Sequence, residues 1–171
     1  MDSIEKQFDK GVDAINRMVY QNQLQGLIAF GRKLVSVTLP SQKEYGNLTG
    51  NTVTSYAFGI YYDGRLVYFG TKKMKDPVSS KLKKGEGFTG FSYDGDYRTF
   101  IATVDTDGGY GQDTSLRFLQ GYKPNTRSFA FVVTTGTEYS AYLENVRKVN
   151  VLSDSMETVG TEFFNSFKPI R

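Results

Sequence analysis

The sequence predicts an α+β fold, and three observations carry that prediction. Apolar residues recur every three or four positions from the amino terminus to about residue 37, and an Asp-Gly pair separates two aromatic, β-branched runs further on. A second helical periodicity closes the chain. No internal repeat or shift of composition divides residues 1–171, so one domain is expected. The expected architecture is a long N-terminal helix, an antiparallel β-sheet built on a hairpin and a C-terminal helix, with a long basic loop inserted.

Taken in order, residues 2 to about 37 predict the helix. Ile4, Phe8, Val12, Ile15 and Val19 make one stripe, resumed by Leu24, Leu27, Ile28, Leu34 and Val35. Asp2 or Ser3 is placed to cap the start, and Pro40 stands beyond the end. Gly11, Gly26 and Gly31 weaken the helix, and Gly26 to Gly31 is the place for a kink. An unbroken helix would be about 50 Å long. That is more than one small domain needs, so packing on a neighbour and packing within the monomer both stand as readings of the stripe.

Thr52 to Phe69 predicts a β-hairpin about Asp63-Gly64, a pair that accepts the positive φ of a two-residue turn. Residues 71–97 form the inserted basic segment. Lys72, Lys73, Lys75, Lys81, Lys83 and Lys84 face one acid, Asp76, a local charge of +5 in a chain of +3, which leaves the remainder at −2. Glycines and aromatic rings follow with little periodicity, as in a functional or mobile loop. Arg98 to Val104 predicts a strand, Asp107 to Gly111 a turn, and Ser115 to Tyr122 a short helix with Leu116, Leu119 and Phe118 inward. Arg127 to Thr135 predicts a central strand, Glu138 to Val149 has helical spacing, and a helix capped by Ser153 or Asp154 runs to about Phe167. Its stripe is Met156, Val159, Phe163, Phe164 and Phe167.

Composition narrows the function. The chain has no His, Cys or Trp, so disulfides, thiol or imidazole catalysis and zinc-finger chemistry are excluded. Gly85-Glu86-Gly87 and Asp107 to Gly111 lack the Lys-Ser/Thr that closes a phosphate loop. The pairs Asp94/Asp96 and Asp105/Asp107 lack the further oxygen ligands of a calcium loop and read as turn aspartates. No carboxylate pair is singled out, so no enzyme, cofactor or metal is expected. No apolar run approaches the roughly 18 residues of a membrane span, and the charged amino terminus has no signal-peptide core. The protein is expected to remain in the cytoplasm where it is made. For the lysine segment three readings stand together: a solvated loop, a nucleic-acid contact, and a loop docking on the acidic remainder of a neighbouring subunit.

Pro40 and Gly46-Asn47-Leu48 follow the long helix within LPSQKEYGNLTGNTV, and Glu138-Tyr139-Ser140-Ala141-Tyr142-Leu143-Glu144 precedes Val151-Leu152 and the last helix. In this order the pieces resemble the head-to-tail connector, or tail-completion, proteins of tailed bacteriophages. That family places a proline and Gly-Asn-Leu ahead of its hairpin and Glu-Tyr-Ala, a hydrophobic residue and Glu ahead of its last helix. Two departures stand out. Asn145-Val146-Arg147 occupies the place of the family's Phe-Gly-Thr, and Glu44-Tyr45 that of its acid and Thr. The resemblance implies a structural virion protein of the phage neck or tail, a six- or twelve-fold homo-oligomeric ring joining portal to tail around the DNA channel, without membrane contact. A tail terminator or tail-tube ring, and a basic-loop nucleic-acid-binding module, are the alternatives. Under this reading Phe8, Val12, Ile15 and Val19 pack against neighbours, and the six lysines reach portal, other neck proteins or DNA.

Overall fold

The computed structural model describes residues 3–35, 50–71, 82–91, 96–103 and 108–137, with Leu152, Val159, Phe163 and residues 165–167 of the C-terminal segment. Helix α1 spans Ile4–Lys33. Ser3 caps it, its hydroxyl accepting from the Lys6 amide at 3.4 Å, and Glu5 in the first turn and Arg32 and Lys33 in the last suit the helix dipole. The helix does not break at its glycines. Gly26 lies under the Phe167 ring and Gly31 under the Phe58 ring, so both serve close packing where a Cβ would collide.

A short helix, α2 (Asn51–Thr54), precedes the hairpin. This corrects the expectation that the first strand begins at Thr52. The reason is local and tertiary together. Gly50 turns the chain at φ 78°, the Ser55 hydroxyl donates to the Thr52 carbonyl at 2.8 Å, and the Thr54 hydroxyl bonds the Gly108 carbonyl, so hydroxyls hold a helical turn that β propensity disfavours. The hairpin itself is present. Strands β1 (Tyr56–Tyr62) and β2 (Arg65–Thr71) join through Asp63 (φ 51°) and Gly64 (φ 70°), with a register shift between Ile60 and Tyr61.

Strands β3 (Gly87–Phe91) and β4 (Tyr97–Ile101) form a separate antiparallel pair. The stretch 87–91 falls in the segment expected to lack regular structure, and it departs from that expectation because Phe88 faces Phe100 across the ladder, the two rings stacked 5.4 Å apart. Reciprocal bonds tie the base of this pair: Gly85 donates to Ala102 at 2.8 Å and Ala102 to Glu86 at 3.0 Å. Helix α3 (Gly109–Gly121) starts six residues earlier than expected, inside the glycine stretch read as a turn. Gly108 (φ 83°) turns the chain, and Gly111 then packs directly on the Asn51 carbonyl, so its glycine lets α2 and α3 touch.

Strand β5 (Phe129–Thr135) pairs antiparallel with β1, giving the order β2-β1-β5. Among the described residues β1 is therefore the central strand, and β5, expected in the centre, has one paired neighbour there. Helices cover both faces. Tyr56, Phe58 and Ile60 point to the rear half of α1 and meet Leu27, Ile28, Phe30, Leu34, Val35 and Val159 in the core. Val159, Phe163 and Phe167 join or pack on this cluster as the C-terminal stripe predicts, and Leu152, which lies before the expected cap at Ser153 or Asp154, is helical and packs there too. Met156, Phe164 and residues 138–149 lie outside the described residues.

The opposite face carries Ala57, Gly59 and Tyr61 against α3, where Leu119 is fully buried, whereas Phe118, expected inward, is exposed. The Tyr61 hydroxyl donates to the Leu119 carbonyl at 2.6 Å. A seam of buried hydroxyls closes this side: Ser115 bonds the Ser55 carbonyl, and Ser55 meets the Thr135 hydroxyl at 2.5 Å. Among the described residues no helix is long and apolar enough to cross a membrane.

Candidate functional site

Helix α1 leads two lives along its length. From Leu27 to Val35 it supplies the core, whereas residues 3–18 are all exposed. The change occurs at Tyr20, whose ring packs on Tyr62 at 4.9 Å and on Phe129 at 5.2 Å. Tyr62 ends β1 at the Asp63-Gly64 turn, so α1 leaves the body at the hairpin end of the sheet and projects about four turns, some 22 Å, beyond it. Polar residues would be expected throughout such a projection. Instead Ile4 is 85% exposed, Phe8 70%, Ile15 62%, Met18 53% and Val12 39%. Val19, nearer the root, is half-buried.

These residues lie on one side of the helix, since positions three and four apart share a face. The row Glu5, Asp9 and Asp13 runs beside the row Ile4, Phe8 and Val12, each acid one residue after its apolar neighbour. Lys6, Lys10 and Arg17 fall on the far side. The projection is thus apolar, acidic and basic in successive stripes.

At the root of the projection a groove of about 540 Å³ opens between α1, β5 and the C-terminal segment. Leu27, Tyr62, Phe129, Phe131, Phe163 and Phe167 supply its apolar wall, and Gln23, Arg127 and Ser128 its polar edge. Aromatic edges and faces hold this wall together: Phe30 contacts Phe131 and Phe163, each at 5.2 Å, and Phe163 contacts Phe167 at 5.1 Å. Around the same end stand Arg65, Lys123 and Arg127, all exposed, with Asp63 as the local acid. The turn at Gly64 abuts the Pro124 carbonyl, which brings the hairpin and the 122–128 loop together.

Of the lysine candidates, Lys83 and Lys84 are exposed at the foot of the β3–β4 pair. Lys72, Lys73, Lys75 and Lys81 lie outside the described residues, as do Pro40, Gly46, Asn47, Leu48, Glu138, Tyr139, Ala141, Tyr142, Leu143 and Glu144. Toward the other end of this strand pair the Arg98 guanidinium is engaged by Asp96 at 2.9 Å, and between the two ends Phe88 and Phe100 are half-buried against each other. Among the described residues no group of three His, Cys, Asp or Glu is placed to hold a metal ion. Among the described residues the Tyr61 phenol is shifted: burial raises its pKa above 10.0, and the neighbouring Tyr122 raises it further. It fastens β1 to α3.

Sequence reasoning found the stripe but missed the groove. The periodicity of α1 is visible in one segment, whereas the groove needs rings from β1, β5 and the C-terminal segment to meet. The signal available was Phe129 and Phe131, two residues apart on one strand face. No family model matches the chain, and no curated protein or solved structure matches it either.

Proposed function

We propose that this chain is a structural subunit that assembles with copies of itself into a ring, and that the ring belongs to the neck or tail of a tailed bacteriophage, joining portal to tail around the DNA channel. One observation carries the assembly: four exposed helical turns bear a continuous stripe of Ile4, Phe8, Val12, Ile15 and Met18. Apolar side chains in a contiguous exposed row mark a surface made to be covered. The ordered motifs about Pro40, Gly46-Asn47-Leu48 and Glu138 to Glu144 carry the placement in a phage particle. Packing, not turnover, is the proposed work. Tyr and Phe supply contact area, and the lysines of segment 72–84 supply charge toward a neighbour or the DNA backbone.

The test is mass photometry of the purified chain, alone and mixed with the portal ring and tail-side proteins of the same particle. Closed multimers of the chain, alone or on the portal, are the expected result. Incorporation on the tail tube in place of the portal would move the ring to the terminator position. A strict monomer under every condition would refute the proposal.

A further inference from the structure

Resting on the ring reading, we propose that the front half of α1 docks into the aromatic groove of the next copy, so that the contact runs head to tail. The occupant of the groove is the Ile4–Met18 stripe of a second chain. Four features of the molecule converge on this pairing.

First, a chain cannot fill its own groove. Helix α1 is unbroken from Ile4 to Lys33, and Phe8 stands about 22 Å along it from Gln23 at the groove edge. Second, the charges match. The acidic row Glu5, Asp9 and Asp13 borders the stripe, and Arg127 borders the groove with Arg65 and Lys123 nearby. A helix laid in the groove apolar side down presents its acids to those cations. Third, antiparallel pairing of two stripes with each other would set like flanks together, acid against acid, because flanking positions choose the partner and its direction. Fourth, stripe and groove are different surfaces of one subunit. A contact between different surfaces leaves one of each free at the ends of any open chain, and it is satisfied throughout only when the chain closes into a ring or continues as a filament.

Cysteine crosslinking tests the pairing cleanly because the chain has no native cysteine. Phe8→Cys and Ser128→Cys, both at exposed positions, are prepared as separate full-length proteins and mixed under conditions where mass photometry shows assembly. A short bismaleimide is then added. The expected product is the mixed Phe8–Ser128 dimer, absent from either protein alone, and the variant carrying both cysteines should give a ladder of covalent multimers. Assembled rings that yield only Phe8–Phe8 dimers, or no mixed dimer, overturn the docking and leave the ring standing. A chain that never assembles overturns both. Charge exchange gives a second readout that no folding defect mimics: Asp9→Arg should weaken assembly about tenfold, and adding Arg127→Asp should restore it. Failure of that rescue counts against the pairing.

Discussion

Placing a carboxylate in the stripe should abolish assembly while leaving the monomer as stable as before. Phe8→Asp is the sharpest form. The five stripe residues together expose the equivalent of about three whole side chains, and at about 2 kcal/mol per buried side chain their covering is worth about 6 kcal/mol. Phe8, at 70% exposure, accounts for nearly a quarter of that area, so Phe8→Ala should weaken association on the order of tenfold. Aspartate adds the cost of a charge removed from water without a partner, several kcal/mol more, which takes a micromolar assembly out of range. In the monomer the same side chain stands in solvent, so the unfolding free energy should stay within about 0.5 kcal/mol of the parent. Mass photometry reads the assembly and urea unfolding reads the monomer. Two results would refute the reasoning: Phe8→Asp assembling like the parent, or Phe8→Asp lowering the urea midpoint as a core substitution does, which would mean that Phe8 packs within its own subunit.

Other substitutions probe the body of the fold. Gly31→Ala should destabilise by about 1–2 kcal/mol in urea, because the new methyl overlaps the Phe58 ring, itself pressed against Gly70, and overpacking outweighs the gain in helix propensity. Gly11→Ala has the opposite sign: nothing lies within 4 Å of its Cβ, so up to about 1 kcal/mol of stability should appear. If both alanines stabilise equally, the packing role of Gly31 is wrong. Tyr61 predicts an alkaline weakness. The folded state holds its phenol proton above the ordinary pKa of 10.0, so stability is constant below that pH and declines as pH rises through the folded value. Tyr61→Phe should lose about 1–3 kcal/mol at neutral pH, by orphaning the Leu119 carbonyl, yet flatten the decline that urea titrations read as pH rises above 10.0.

What the sequence shows well is what one segment decides alone. The α1 stripe, the Ser3 cap and the Asp63-Gly64 turn need only neighbours a few residues away, and each is present. What it hides is decided across the fold. Thr52 and Thr54 favour strands by propensity, but their turn is held helical by the carbonyl of Gly108, more than fifty residues on. Glycines at 108 and 111 look like a flexible turn, although Gly111 begins a helix and is small because the Asn51 backbone lies against it. The apolar run Phe129 to Thr135 announces a strand, but that its rings Phe129 and Phe131 meet α1 and the C-terminal segment is decided only in the assembled fold. The candidate surface divides the same way, its stripe legible in α1 and its groove only in the assembled sheet.

A helix that is half core and half projection also has a kinetic and entropic consequence. Starting a helix is the costly step, because three residues must be fixed before the first hydrogen bond repays them. The rear half of α1, locked by Phe30 and Gly31 against Phe131 and Phe58, has already taken that step when the domain folds. Residues 4–18 therefore extend an existing helix, and each added residue gains a backbone bond without a new nucleus. A partner meets a preorganised rod where an isolated peptide of the same length would be largely unfolded. Little ordering entropy is left to lose on docking, so a modest stripe can suffice for a firm contact.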